Sequence, residues 1–173
     1  LVFDIFSAME DVVREGCQFF ILDNLFAMDL DGLDGDENAR PKAFILALVA
    51  FAKKHNVHIV LVAHPRKVVT FLRKEDILGS SALQNAVDDI FIIHRTGNDF
   101  SRRASDFFSP AVVSSLMSFG NVIEICKNRE FGAIEQLVGV HYDTRSRRFS
   151  DSADDDVRYG WEEDVDQQTM GFA

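Results

Sequence analysis

A chain of 173 residues that is 47% hydrophobic can bury a core of its own, and no apolar run approaches the roughly 20 residues that a membrane span needs. The net charge of −10 argues at first against a nucleic-acid partner, but it is concentrated. Residues 151–173 hold eight acids against the single base Arg158, a net −7, which leaves −3 on the remaining 150 residues.

The two cysteines, Cys17 and Cys126, sit in or beside apolar runs, with no CxxC or His/Cys ligand spacing near them. They are expected to be reduced core thiols in a reducing compartment. No basic-then-apolar signal segment stands at the front. The first residue is Leu1 rather than Met, so the chain is expected to be an internal fragment.

Val2, Phe3, Phe6, Met9, Val12 and Val13 fall at helical spacing, which predicts an amphipathic helix over 2–14, ended by Gly16. Phe19-Phe20-Ile21-Leu22 then reads as a strand buried on both faces, stopping at Asp23. An acidic, glycine-containing loop covers 24–37. A helix over 39–54 places Phe44, Leu48 and Phe51 on one stripe and Lys53-Lys54 at its end, where cations suit the helix dipole. Val57 to Ala63 is a second buried strand, ending at His64. Two buried strands joined by a helix predict a βαβ unit and a parallel sheet.

Beyond it come a basic loop over 65–78, a short helix over 80–87 and a third buried strand, Ile90-Phe91-Ile92-Ile93, ending at His94-Arg95. Residues 96–119 look irregular, with a short helix near 111–117. Two strands, about 121–126 and 134–142, are joined by a loop carrying Lys127, Asn128 and Arg129, and Arg147-Arg148-Phe149 closes the ordered part. The expected organisation is therefore one α/β domain over 1–150 with a mainly parallel sheet ending in a β-hairpin, followed by a disordered acidic tail over 151–173.

Ligands of open parallel sheets bind at the carboxyl ends of the strands. Asp23, His64 and His94-Arg95 end three successive strands and so outline a functional edge. A carboxylate at a buried strand tip can hold Mg²⁺, through water, on a nucleotide phosphate, although many strands end in Asp simply to start a turn. The run Asp29 to Asp36 fails as a calcium loop: an EF-hand starting at Asp29 needs Gly sixth and Glu twelfth, where Asp34 and Arg40 stand, and a start at Asp31 puts Lys42 twelfth. The pair His55 and His58 lacks further ligands.

Four motifs in order carry a resemblance. They are Phe19 to Leu25, then His58-Ile-Val-Leu-Val-Ala-His64-Pro65-Arg66-Lys67, then Gly79-Ser80-Ser81-Ala82 through Asp88 to His94-Arg95, then Lys127-Asn128-Arg129. Over about residues 1–149 the chain resembles the DnaB-like hexameric replicative helicases, closest to the branch of phage primase-helicases and the mitochondrial helicase Twinkle.

The resemblance implies a RecA-like ATPase domain that uses ATP or another nucleoside triphosphate with Mg²⁺. It implies a homo-hexameric ring on single-stranded DNA, in the cytoplasm of a bacterial or phage-infected cell or in a mitochondrial nucleoid. By the same resemblance Asp23 is the Walker B aspartate and magnesium-water ligand, and His64 the polar switch that senses the γ-phosphate. Arg66, Lys67, Arg73, Lys74 and the turn at Gly79-Ser80 match the central-channel loops that grip DNA. Lys127 and Arg129 match the pair donated to a neighbour's nucleotide, Arg129 as arginine finger, while Arg95 and Tyr142 match the residues that sandwich the base. The tail, with Trp161 and Phe172 among its acids, resembles the polymerase-docking tails of phage primase-helicases.

The departures matter equally. No Gly-x-x-x-x-Gly-Lys-Ser/Thr loop exists in the sequence. Glu10, in the helix directly before Asp23, falls too late to be the family's catalytic glutamate. Upstream truncation or a degenerate, non-hydrolysing ring subunit would each account for this. Another RecA-class ATPase, a recombinase or a clock-type ATPase, is the rival reading of the fold.

Overall fold

The computed structural model describes residues 2–33, 35–36, 39–64, 71–74, 76, 81–132 and 136–152. The tail beyond Ser152, most of the basic loop with Arg66 and Lys67, and the Gly79-Ser80 turn lie outside the described residues.

Helix α1 (Val2–Arg14) carries Asp4 in its first turn and Arg14 in its last, both favourable to the helix dipole. Gly16 ends it at φ +97°. The amide of Cys17 reaches back to the Val12 carbonyl (3.0 Å) and that of Gly16 to Val13 (2.9 Å), a Schellman cap that only a residue tolerant of positive φ allows. The chain turns directly into strand β1 (Phe19–Leu22).

Helix α2 (Ala39–His55) starts with the Ala39 amide donating to Asp36 Oδ1 at 2.8 Å. It stops the same way as α1, with Asn56 at φ +52° and the Val57 amide on the Ala52 carbonyl. Strand β2 (His58–Leu61) then pairs in parallel with β1, Phe19 opposite His58 through Leu22 opposite Leu61. The expected βαβ unit is present.

One core belongs to this unit. Val2 and Met9 of α1, Phe20 of β1, Leu25, and Phe44, Ile45, Leu48 and Phe51 of α2 are buried together. Phe6 meets both Phe44 and Phe51, with ring centroids 5.8 and 5.7 Å apart, and Phe20 meets Phe51 edge-on. The helices cover one face of the two-stranded sheet only. Phe19, Ile21 and Val60 on the other face are exposed, so β1 is not buried on both sides as its apolar run suggested.

The remainder differs from the mainly parallel sheet expected. A short helix α3 (Ser81–Ala86) leads into β3 (Asp89–Arg95), which pairs not with β2 but antiparallel with β4 (Asn121–Asn128). Strand β5 (Gln136–Asp143) pairs with β4, and β6 (Arg148–Ser150) with β5, giving a second sheet in the order β3-β4-β5-β6. Among the described residues only β1 and β2 run parallel, so the chain is a mixed α/β protein with a small parallel sheet and a four-stranded antiparallel one. In β3 the side chains alternate, Ile92 and His94 inward, Phe91 and Ile93 outward, so this strand too has one buried face.

Residues 96–119 are more regular than expected, and the short helix expected near 111–117 is present. They form helices α4 (Asn98–Ala104) and α5 (Pro110–Leu116), the latter with Ser109 as N-cap and Pro110 in its first turn. Phe100, Ala104, Val113 and Leu116 bury themselves with Phe71 and Val122 as a second core on one face of the antiparallel sheet. Gly139 on β5 is required by that packing: a Cβ there would stand 2.3 Å from the ring of Phe119.

Candidate functional site

Asp23 and His64 follow adjacent parallel strands at the same end. The ladder runs on past β2, with the Val62 amide on the Leu22 carbonyl and the Leu25 amide on the Val62 carbonyl, each 2.9 Å. Asp23 therefore stands beside the stretch that leads to His64, and both side chains are exposed. The Asp23–Asn24 peptide is cis. Asn24 Oδ1 accepts from the Ala27 amide at 3.1 Å and starts a 3-10 turn, Leu25–Ala27, that carries the chain off the sheet and leaves the Asp23 carboxylate at the tip.

Among the described residues no three His, Cys, Asp or Glu side chains converge. A single carboxylate supplemented by phosphate oxygens and water is a common Mg²⁺ arrangement, so Asp23 fits that cation as one ligand. The acidic loop after it is held by Arg40, whose Nη1 donates to Asp31 Oδ1 at 2.6 Å and whose Nε donates to the Gly35 carbonyl at 3.0 Å.

Arg95 does not share the edge of Asp23 and His64. It ends β3 in the other sheet, opposite Asn121, which in turn faces Val140. This register puts Arg95 and Tyr142 on one face and at one end of the antiparallel sheet, with β4 between them. Both are exposed, and the Tyr142 ring leans on Phe149 with centroids 4.9 Å apart.

Lys127 and Arg129 lie together at the end of β4, against the carboxyl end of α3. Lys127 Nζ donates to the carbonyls of Gln84 and Val87 at 2.7 and 2.6 Å. Arg129 donates to the Asn85 carbonyl at 2.6 Å and pairs with the Asp88 carboxylate. Cations suit the negative end of a helix, and these two tie β4 to α3. Burial, then the charge of Arg129, lower the pKa of Lys127, with Asp88 and Asp89 acting against them.

Arg73 is turned into the protein. Its Nη1 donates to Glu124 Oε1 at 2.7 Å, and its guanidinium lies 4.6 Å from the ring centre of Phe107. Lys74 is half-buried, and its carbonyl accepts from the Gln84 side chain at 3.3 Å.

The sequence reading missed Glu124, which is fully buried, and the role of His94, whose Nε2 donates to Glu124 Oε2 at 2.8 Å. Burial works against ionisation of Glu124. The hydrogen bond from His94 and the charge of Arg73 outweigh it and hold the carboxyl below its ordinary range. Burial, with Glu124 beside it, pushes the Cys126 thiol up to about 12, so this cysteine stays protonated at neutral pH. A signal was present: Glu124 is the single charge within Val122-Ile123-Glu124-Ile125-Cys126, and a lone charge in an apolar strand demands a partner. No helix among the described residues is long and apolar enough to cross a membrane. The sequence matches no protein-family model and no curated protein.

Proposed function

We propose that this chain carries the Walker B, sensor and finger portion of a hexameric replicative DNA helicase motor of RecA-like fold, driven by ATP or another nucleoside triphosphate. The observation that carries this reading is the β1–α2–β2 unit with Asp23 and His64 beyond the carboxyl ends of adjacent parallel strands, the place where open parallel sheets bind ligands. Asp23 there would hold Mg²⁺ through water on a nucleotide phosphate. His64, one strand over, would sense the γ-phosphate and report its loss to the basic loop that follows.

Arg95 and Tyr142, on one face of the antiparallel sheet, supply two flat groups for a base. Lys127 and Arg129, neighbours at the end of β4, supply positive charge to a nucleotide held by the adjoining subunit. Phosphoryl transfer asks for little else, since its catalysis is positioning and charge neutralisation. The exposed apolar side chains Phe19, Ile21 and Val60 on one sheet and Phe91, Ile93 and Val138 on the other favour the same reading. Apolar faces of this kind call for covering, as a wider RecA-like sheet with helices on both faces provides.

With no P-loop in the sequence, the 173-residue chain alone is expected not to hydrolyse nucleotide. The test is Asp23→Asn in the full-length protein. Mg²⁺ contributes several kcal/mol of charge stabilisation in such sites. Turnover is therefore expected to fall by about 100-fold or more, with nucleotide still bound in the absence of Mg²⁺. Unchanged turnover would remove Asp23 from the site. A wild-type protein that binds nucleotide without hydrolysing it would make the chain a non-hydrolysing ring subunit.

A further inference from the structure

Glu124, Arg73 and His94 form a buried polar cluster that the proposed chemistry does not use. The three side chains are 1%, 15% and 6% exposed. Around them stand aromatic rings: Phe71 is stacked on His94 at 4.4 Å with the planes 8° apart, and Phe107 stacks on Phe71 at 5.5 Å. Phe71 and Arg73 belong to the basic loop over 65–78. Asp76 closes a turn on Arg73, its Oδ2 accepting from the Arg73 amide and its own amide donating to the Arg73 carbonyl, both 2.9 Å. The stretch is thus attached to the sheet twice, by an aromatic plug and by a charged clamp.

The clamp is an expensive way to gain stability alone. Desolvating a charged pair offsets most of its attraction, and apolar residues of similar volume commonly serve as well or better. What a buried pair adds is a defined position, because the carboxylate accepts from Arg73 and His94 in only one arrangement. The clamp is also placed to transmit. His94 and Arg95 are neighbours on β3 and point to opposite faces, His94 to the clamp and Arg95 to the face of Tyr142.

We propose that Glu124 is a positioning residue that fixes residues 71–74 to the centre of the antiparallel sheet and so couples the base-contacting strand β3 to the DNA-gripping loop. This rests on the helicase reading for what the loop grips; the anchoring itself does not. Under it Arg73 acts mainly through Glu124, and the phosphate contacts of this stretch fall to Lys74 and the remaining bases of the loop.

The experiment compares full-length wild type with Glu124→Gln, which keeps the shape and removes the charge, and with Phe71→Leu, which keeps apolar bulk and loses the stacking on His94. Amide hydrogen exchange of residues 71–74 is read against that of α1 and α2, alongside nucleotide turnover with and without single-stranded DNA. Both variants are expected to raise exchange at 71–74 at least tenfold while leaving α1 and α2 within twofold. DNA-stimulated turnover should fall at least tenfold with basal turnover within twofold.

Unchanged exchange at 71–74 in the folded variants overturns the anchor. Faster exchange with full DNA stimulation overturns the coupling. Should Glu124→Gln fail to fold, Phe71→Leu decides by the same two measurements. A wild-type protein with no response to DNA contradicts the helicase reading, and the exchange measurement still decides whether Glu124 anchors the segment.

Discussion

Under the proposed helicase reading, Arg129→Ala in the full-length protein is expected to cut DNA-stimulated nucleotide turnover by about 10³-fold or more while nucleotide affinity changes little. A finger acts on charge that develops in the transition state, so its removal leaves ground-state binding largely intact. In the isolated chain Arg129 pairs with Asp88 and the Asn85 carbonyl, and its side chain remains about half exposed (47%). An exposed pair of this kind contributes only about 0–1 kcal/mol, little to give up for a γ-phosphate across an interface. Arg129→Lys separates the two roles: it keeps a cation beside Asp88 but lacks the planar fork, so it should hold α3 in place and still turn over slowly. A ring further predicts that Arg129→Ala subunits mixed with wild type lower turnover by more than their share. Lost affinity with normal turnover would show that Arg129 is not the finger.

Phe44→Ala should produce the largest loss of stability, about 3–5 kcal/mol by chemical denaturation. Phe44 of α2 is 0% exposed within the first core, and its ring meets Phe6 of α1. Truncation removes the transfer free energy of the ring and leaves a cavity in its place. Phe131→Ala is the control. That ring is 77% exposed and should cost no more than about 0.5 kcal/mol. A loss under about 1 kcal/mol at Phe44 would mean that α2 does not bury this ring against α1 as described.

The β1–α2–β2 unit was legible because every signal for it is local. Gly16 and Asn56 stop the helices, apolar runs follow them at once, and Asp23 and His64 mark where the runs end. The third strand was misplaced for a reason equally physical. Ile90 to Ile93 is an unbroken apolar run, and such a run cannot distinguish a strand buried on both faces from one with a bare apolar face. Its partner, β4, lies about thirty residues away in sequence, and no local signal announces the pairing.

Helix α5 was expected near 111–117, one residue from where it lies, whereas α4, also of seven residues, was too short for periodicity to separate from loop, although Phe100 and Ala104 were there to be read as a core. Asp23 and His64 were singled out by the apolar runs that end at them, Lys127 and Arg129 by resemblance alone. Glu124 was missed because its meaning depends on Arg73, 51 residues distant.

Single-stranded DNA-stimulated nucleotide hydrolysis by the full-length wild-type protein tests the central claim most directly. The helicase reading predicts that turnover with Mg²⁺ rises at least tenfold on adding oligo-dT, with no preference for sequence. The stimulation should weaken as salt is raised, because phosphate contacts from a basic channel release counterions. Turnover that is absent, or present but indifferent to single-stranded DNA at low salt, would contradict it.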